Sequence, residues 1–148
     1  MIKEKIFITS ASRLAVGSLG GTLRNIPADD LGAKVILDQI TRSKLNKSDV
    51  EEVILGQVLT SNCGQNPARQ ASIKSGLPKE TPAFIVNQVC GSGLRSVASG
   101  FQSILSGNSK IVIAGGQENM SLAPHAIHLR DGKKIGNVEL TDTMIKDG

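Results

Sequence analysis

Cys90 is the residue in this sequence best placed for covalent chemistry. It stands in Val89-Cys90-Gly91-Ser92-Gly93, between an apolar run and a strongly periodic segment. That order predicts a turn from a buried strand into a helix N-terminus, where the dipole and unpaired backbone N–H groups favour thiolate over thiol. The flanking glycines let a substrate carbonyl approach the backbone, so the N–H of Cys90 is itself a candidate oxyanion donor. On the turn alone the plainer alternative carries more weight, because a free cysteine is often simply a small core residue.

The other reactive side chains give weaker signals. Cys63, ahead of Gly64, reads as a loop thiol, with reach into a neighbouring subunit's active site as the less favoured option. The two cysteines form no CxxC pair and sit in no metal-ligand cluster, so neither a disulfide framework nor a zinc site is expected. His125 and His128 stand three apart without further ligands at metal spacing, which favours a surface or interface role. Glu118 and Asp142 have no carboxylate partner at acid–base spacing and read as hydrogen-bonding residues. Arg69 and Arg95 follow helix starts, where the dipole does not call for a cation, so each needs a specific partner. With Arg13 of the first loop, they are assigned to a subunit interface.

The elements that must position Cys90 are legible as alternating strands and helices. Lys5 to Thr9 holds Ile6, Phe7 and Ile8, a run suited to a strand buried on both faces. A Gly-rich loop follows, and Pro27 with Asp29 and Asp30 opens a helix carrying Leu31, Val35 and Ile40 on one stripe. Asn46 to Asp49 breaks it, with Ser48 and Glu51 at capping-box spacing. Val53 to Leu55 begins a second strand, Asn66 and Pro67 open a helix that Gly76 closes, and Ala83 to Val89 makes a third strand. Leu94, Val97, Ala98, Phe101, Ile104 and Leu105 keep helical period until Gly107, before a fourth strand at Ile111 to Ile113. Such alternation implies an α/β fold with parallel strands and helical crossovers. Gln117 to Gly148 reads as loop, with one hairpin around Gly132 or Gly136.

Composition narrows the function classes. With 39% hydrophobic and 20% charged residues in 148, the chain can bury a core. The formal charge of +4 is spread along the sequence without interleaved aromatics, which excludes a nucleic-acid footprint. It suits anionic substrates such as CoA esters, though solubility is the plainer reading. The start Met1-Ile2-Lys3-Glu4-Lys5-Ile6 lacks the apolar core of a signal peptide, and no later run approaches a membrane span, so a cytosolic protein is expected.

Four separated segments carry a resemblance. Asn87-Gln88-Val89-Cys90-Gly91-Ser92-Gly93-Leu94-Arg95-Ser96-Val97 resembles the nucleophile signature of thiolases. Gly64-Gln65-Asn66-Pro67-Ala68-Arg69-Gln70 and Ala114-Gly115-Gly116-Gln117-Glu118-Asn119-Met120-Ser121 are similar to two further segments of that family. Ala11-Ser12-Arg13 with Gly17 and Gly20-Gly21 resembles its first loop, and the order matches. Within the family the acetyl-CoA acetyltransferases are the closest subgroup, since Ala123-Pro124-His125, His128-Leu129-Arg130 and Thr141-Asp142-Thr143-Met144 are similar to their loop and tetramer-forming hairpin.

The resemblance implies a thiolase-like α/β fold with a mixed, mainly parallel sheet flanked by helices. Residues 1–120 correspond to its N-terminal domain and 121–148 to the start of the loop domain with the tetramerisation hairpin; the C-terminal domain is absent. It implies a homotetramer and the interconversion of two acetyl-CoA with acetoacetyl-CoA and CoA, without metal or added cofactor. Cys90 would carry the acyl group as a thioester. In the family a His of a Gly-His-Pro segment activates the nucleophile and a second Cys acts as acid and base. Both belong to the C-terminal half, so the 148 residues are expected to be a fragment, inactive alone. Two other functions remain: a ketoacyl synthase type of condensing enzyme, and an inactive piece that binds a full-length thiolase. No residue is assigned to CoA binding.

Overall fold

The computed structural model describes residues 5–148, so the charged start read at Met1 to Glu4 lies outside the described residues. Three strands make the central sheet: β1 (Glu52–Gly56), β2 (Ala83–Val86) and β3 (Val112–Gly116). They run parallel in the order β2-β1-β3. Register pairs Gly56 with Val86 on one side and Gly116 on the other, so all three strands end level. An α-helix makes each crossover, α2 (Pro67–Lys74) between β1 and β2, and α3 (Ser92–Leu105) between β2 and β3. The helix α1 (Ala28–Ser43) precedes them, and Lys44 ends it in the left-handed region, with the Leu45 N–H returning to the Ile40 carbonyl (3.2 Å).

Alternation along β1 divides the core. Val53 and Leu55 face α1 and α2, where they pack with Ile36, Ile40, Ala68 and Ala71. Ile54 and Gly56 point to the other face, toward α3. Each of the buried Val, Leu and Ile side chains contributes about 1.5–3 kcal/mol, and the alanines less. The buried stripe of α1 is Ala33, Ile36 and Ile40, while Leu31 and Val35 are only half-buried. The helix is rotated from the expected stripe because it packs on α2, whose facing residues Ala68 and Ala71 are small.

The helix α2 starts and stops where its residues say it should. Asn66 Oδ1 accepts from the Arg69 N–H (3.1 Å), Asn66 Nδ2 donates to the Ala83 carbonyl (2.8 Å), and Gly76 takes φ +82° beyond its end.

Other expectations need correction. Lys5 to Thr9 is not a strand: no described strand offers it ladder bonds, and Phe7 and Ile8 are 72% and 81% exposed. The third strand stops at Val86 rather than Val89, because the chain must bend toward Cys90. The cap before β1 belongs to Asn46 and Asp49, whose Oδ2 accepts the Asn46 N–H (2.7 Å), not to Ser48 and Glu51. The central sheet is wholly parallel, and the antiparallel pair is the separate β4 (His125–Ala126) with β5 (Thr141–Asp142). That pair closes a loop containing both Gly132 and Gly136, and the short α4 (Thr143–Asp147) follows.

Candidate functional site

Level carboxyl ends gather three loops at one edge of the sheet, where open α/β folds hold ligands. Gln57 to Cys63 follows β1, Asn87 to Cys90 follows β2, and Gln117 to Asn119 follows β3.

The turn bearing Cys90 has an uncommon shape. Val89 adopts φ +50°, a left-handed conformation that costs a β-branched residue about 1–3 kcal/mol. Side chains hold it there. The Val89 N–H donates to Asn87 Oδ1 (3.0 Å), the Gln88 N–H donates to Ser92 Oγ (2.8 Å), and Ser92 Oγ donates to the Val89 carbonyl (2.6 Å). In the backbone, Gly91 N–H bonds the Gln88 carbonyl (3.1 Å) and Ser92 N–H the Val89 carbonyl (3.0 Å). None of these bonds uses the Cys90 N–H, which has no protein acceptor among the described residues. Cys90 is a free, exposed thiol, so the core-residue alternative does not describe it. It stands just ahead of α3, with Gly91 in the cap position and Ser92 as the first helical residue.

Close packing seats this turn on the sheet. A Cβ at Gly56 would lie 2.4 Å from the Ser92 carbonyl carbon and 2.6 Å from the Gly93 nitrogen, so only glycine lets β1 and α3 meet. Ser96 Oγ donates to the Gly115 carbonyl (2.6 Å), and Gly100 lies over Val112 and Ala114. The sheet-facing side of α3 is therefore Ser92, Ser96 and Gly100. The apolar stripe that defines the helix in the sequence points elsewhere, and Leu94 is 78% exposed, with Val97, Phe101 and Leu105 also exposed.

Behind the turn lies a buried polar layer that the sequence did not single out. Gln117 Nε2 donates to Gln57 Oε1 (2.8 Å), and Gln57 Nε2 donates to the Leu59 carbonyl (2.9 Å) and reaches Cys63 Sγ (3.5 Å). Burial pushes the Cys63 thiol above its ordinary range; the Gln57 contact opposes this, and the Glu118 and Asp29 carboxylates reinforce it. Cys63 lines a cavity of about 300 Å³ with Asp29, Gln57, Gln70, Lys74 and Asn119. A wider space of about 890 Å³ opens between the N-terminal segment, α1, β3 and α3, lined by Phe7, Ile8, Val35, Val97, Phe101 and Ile104. Cys90 lines neither of the two.

Glu118 has the hydrogen-bonding role expected of it, and Asn119 beside it has one that the sequence did not signal. Glu118 Oε2 accepts from the Val58 (2.8 Å) and Leu59 (3.3 Å) N–H groups. Asn119 Nδ2 donates to the Leu23 (3.1 Å) and Ile26 (2.7 Å) carbonyls, and the Gly20 N–H donates to Ser121 Oγ (2.9 Å). These bonds draw the first loop against the end of β3. Arg69 has its partners within the chain, donating to the Thr81 (2.8 Å) and Lys79 (2.5 Å) carbonyls rather than across an interface. Arg13 borders the wider space and Arg95 is exposed.

Asp142 caps α4 by accepting from the Met144 N–H (2.9 Å), and its Oδ2 lies 3.9 Å from His125 Nε2. Among the described residues no group of three or more His, Cys, Asp and Glu side chains comes together, and no helix is long and apolar enough to cross a membrane.

Ser92 and Asn87 are the site residues that sequence reasoning passed over. Polar residues flanking a β-branched one beside Cys90 were the available signal, but a valine gives no sign that its φ will be positive.

Comparison with known proteins places this geometry. Residues 6–148 match the family model described as Thiolase, N-terminal domain. The chain is 56% identical over 144 residues to an acetyl-CoA acetyltransferase of Paracoccus denitrificans, covering 97% of this chain and 37% of that protein. It is 49% identical over 145 residues to the cytosolic acetyl-CoA acetyltransferase of Rattus norvegicus, covering 98% and 36%. The crystal structure of the Bacillus anthracis acetyl-CoA acetyltransferase superposes with a TM-score of 0.90 at 32% identity, over 94% of this chain and 36% of that one. The chain thus spans little more than a third of the length of these relatives.

Proposed function

The chain belongs to the thiolase family, and from that membership we propose that it supplies the acyl-accepting nucleophile, Cys90, of an acetyl-CoA acetyltransferase. The observation that carries this reading is the exposed thiol on a clamped turn, beside a backbone N–H without a protein acceptor among the described residues. Cys90 Sγ attacks the thioester carbonyl of acetyl-CoA, the new C–S bond forms, and charge gathers on the carbonyl oxygen, where the Cys90 N–H donates to it. The CoA thiolate then leaves, and the acetyl group stays on Cys90. A second acetyl-CoA, having lost a methyl proton, attacks that thioester, releasing acetoacetyl-CoA and the Cys90 thiolate; thiolysis runs the same steps backward.

The proton transfers need an acid and base that, by the family resemblance, belong to a C-terminal thiolase half. The proposed enzyme is therefore a protein in which that half accompanies these residues, a cytoplasmic homotetramer acting without metal or added cofactor.

The test is to combine the chain with a C-terminal thiolase half, supply acetyl-CoA labelled in the acetyl group, and map the label by mass spectrometry. Label on Cys90, lost in Cys90→Ser together with turnover, is expected; label on another side chain refutes the assignment. Cleavage of acetoacetyl-CoA by CoA separates this reaction from carrier-dependent decarboxylative condensation. The exposed face of Leu94, Val97, Phe101 and Leu105 favours a second reading, in which the chain acts only by binding a thiolase polypeptide. Thiolysis by the 148-residue chain alone would overturn both that reading and the need for the other half.

A further inference from the structure

We infer that Ser92 is a positioning residue, whose side chain locks the left-handed turn at Val89 and so fixes where the Cys90 thiol and N–H point; the catalytic meaning of this role rests on the acyl-thioester reading above. The hydroxyl has one proton and is buried, the residue being 4% exposed. Its proton goes to the Val89 carbonyl (2.6 Å), and it accepts the Gln88 N–H (2.8 Å). Both bonds reach backward into the turn rather than forward to the helix N–H groups, so Ser92 does not serve as an ordinary helix cap. With its donor committed and its side chain out of solvent, the hydroxyl has no proton to offer a substrate.

The position of Ser92 is itself fixed. Its backbone rests against Gly56 of β1 at a separation that admits no Cβ. The clamp therefore links the turn to the sheet, and a valine at φ +50° has no intrinsic preference to stay there. Without the hydroxyl, the Gln88 N–H loses its acceptor and Val89 relaxes toward the extended region, swinging Cys90 with it.

Acylation of the 148-residue chain by S-phenyl thioacetate tests this without the other half of the enzyme. The Cys90 thiol loses its proton to solvent, its sulfur forms the new bond to the acetyl carbon, and thiophenolate leaves. Peptide mapping gives the acylation rate at Cys90 relative to Cys63 in the same molecules, and a general loss of fold is recognised by its effect on both thiols. Ser92→Ala is expected to lower the Cys90-to-Cys63 ratio by about tenfold, since small misplacements at a reacting atom carry effects of this order or larger. Ser92→Thr, which keeps the hydroxyl, is expected to restore the ratio. In parallel, amide exchange at Gln88 should accelerate in Ser92→Ala and not in Ser92→Thr.

A ratio unchanged in folded Ser92→Ala overturns the inference, as does a threonine variant no better than alanine. Should Ser92→Ala fail to fold, Val89→Gly and Val89→Gly/Ser92→Ala are compared instead: glycine accepts the left-handed turn but does not hold it there, so loss of the hydroxyl is expected to lower the ratio in that background too, and equal ratios in the two overturn the proposal. Failure of the enzymatic reading is seen separately, as absence of label on Cys90 from acetyl-CoA in the completed protein with the Ser92 effect on the phenyl thioester intact.

Discussion

Gly56→Ala should damage this protein more than any property of alanine suggests, because the new methyl has nowhere to go. Its carbon would lie 2.4 Å from the Ser92 carbonyl carbon, 2.6 Å from the Gly93 nitrogen and 2.7 Å from Ser92 Cβ. Carbon atoms in comfortable contact stand about 3.5–4.0 Å apart, so α3 must withdraw by roughly 1 Å. The nearest atoms are backbone, which no rotamer change can move aside. Forced overpacking of this kind costs about 1–3 kcal/mol. With a urea slope of roughly 1–3 kcal/mol per molar, the unfolding midpoint should fall by about 1 M. Because Cys90 is attached to the displaced helix end, acyl transfer should also slow, by up to about 100-fold for a 1 Å misplacement. Gly93→Ala, in the first turn of α3, is the control. A Cβ there meets nothing within 4 Å, and in a helical position the change should be neutral or stabilising by up to about 1 kcal/mol. If Gly56→Ala melted within about 0.5 kcal/mol of the wild type, close approach of β1 and α3 would not be what seats the turn.

Two further outcomes are expected. Arg69→Lys should lower stability by about 1–2 kcal/mol in urea unfolding, since a single ammonium cannot reproduce the fork that holds both the Lys79 and Thr81 carbonyls; an unchanged melt would count against that role. Lys74 Nζ lies 2.5 Å from Asp29 Oδ2 and 2.6 Å from Asp30 Oδ1, and these carboxylates raise its pKa above the ordinary 10.5. A raised folded pKa means a contribution that is full below about 10.5 and lost as pH climbs through the folded value. Wild type should therefore lose more stability than Lys74→Met as pH rises above about 10.5, and parallel curves there would contradict the linkage. The side chain is half-exposed, so the difference should be small.

The elements around the site were legible because local chemistry specifies them. Asn66 and Pro67 announce the start of α2 and Gly76 its end, since capping and left-handed turns depend on residues close in sequence. The stretch from Leu94 to Leu105 is unmistakably helical by period. Period failed on orientation. An apolar stripe is ordinarily the buried one, yet α3 lies on the sheet by Ser92, Ser96 and Gly100, because glycines at 56 and 116 bring the backbones too close for larger side chains. Lys5 to Thr9 failed for a related reason: an apolar run becomes a strand only when a neighbour supplies its hydrogen bonds, and none of the described strands does.

By itself, then, the sequence determined the α/β class, the strand-to-helix passage at Cys90 and the family, all of which follow from periodicity and from motifs contiguous in the chain. Only the tertiary structure decided that Val89 turns left-handed, that Ser92 and Asn87 hold it, and that Gln57 pairs with Gln117 sixty residues away. Those facts depend on the distance between groups far apart in sequence and on the sign of a backbone angle. Neither quantity is encoded in the identity of any one residue: the register of β1 against β3 brings the two glutamines together, and the close approach of β1 to α3 seats the turn.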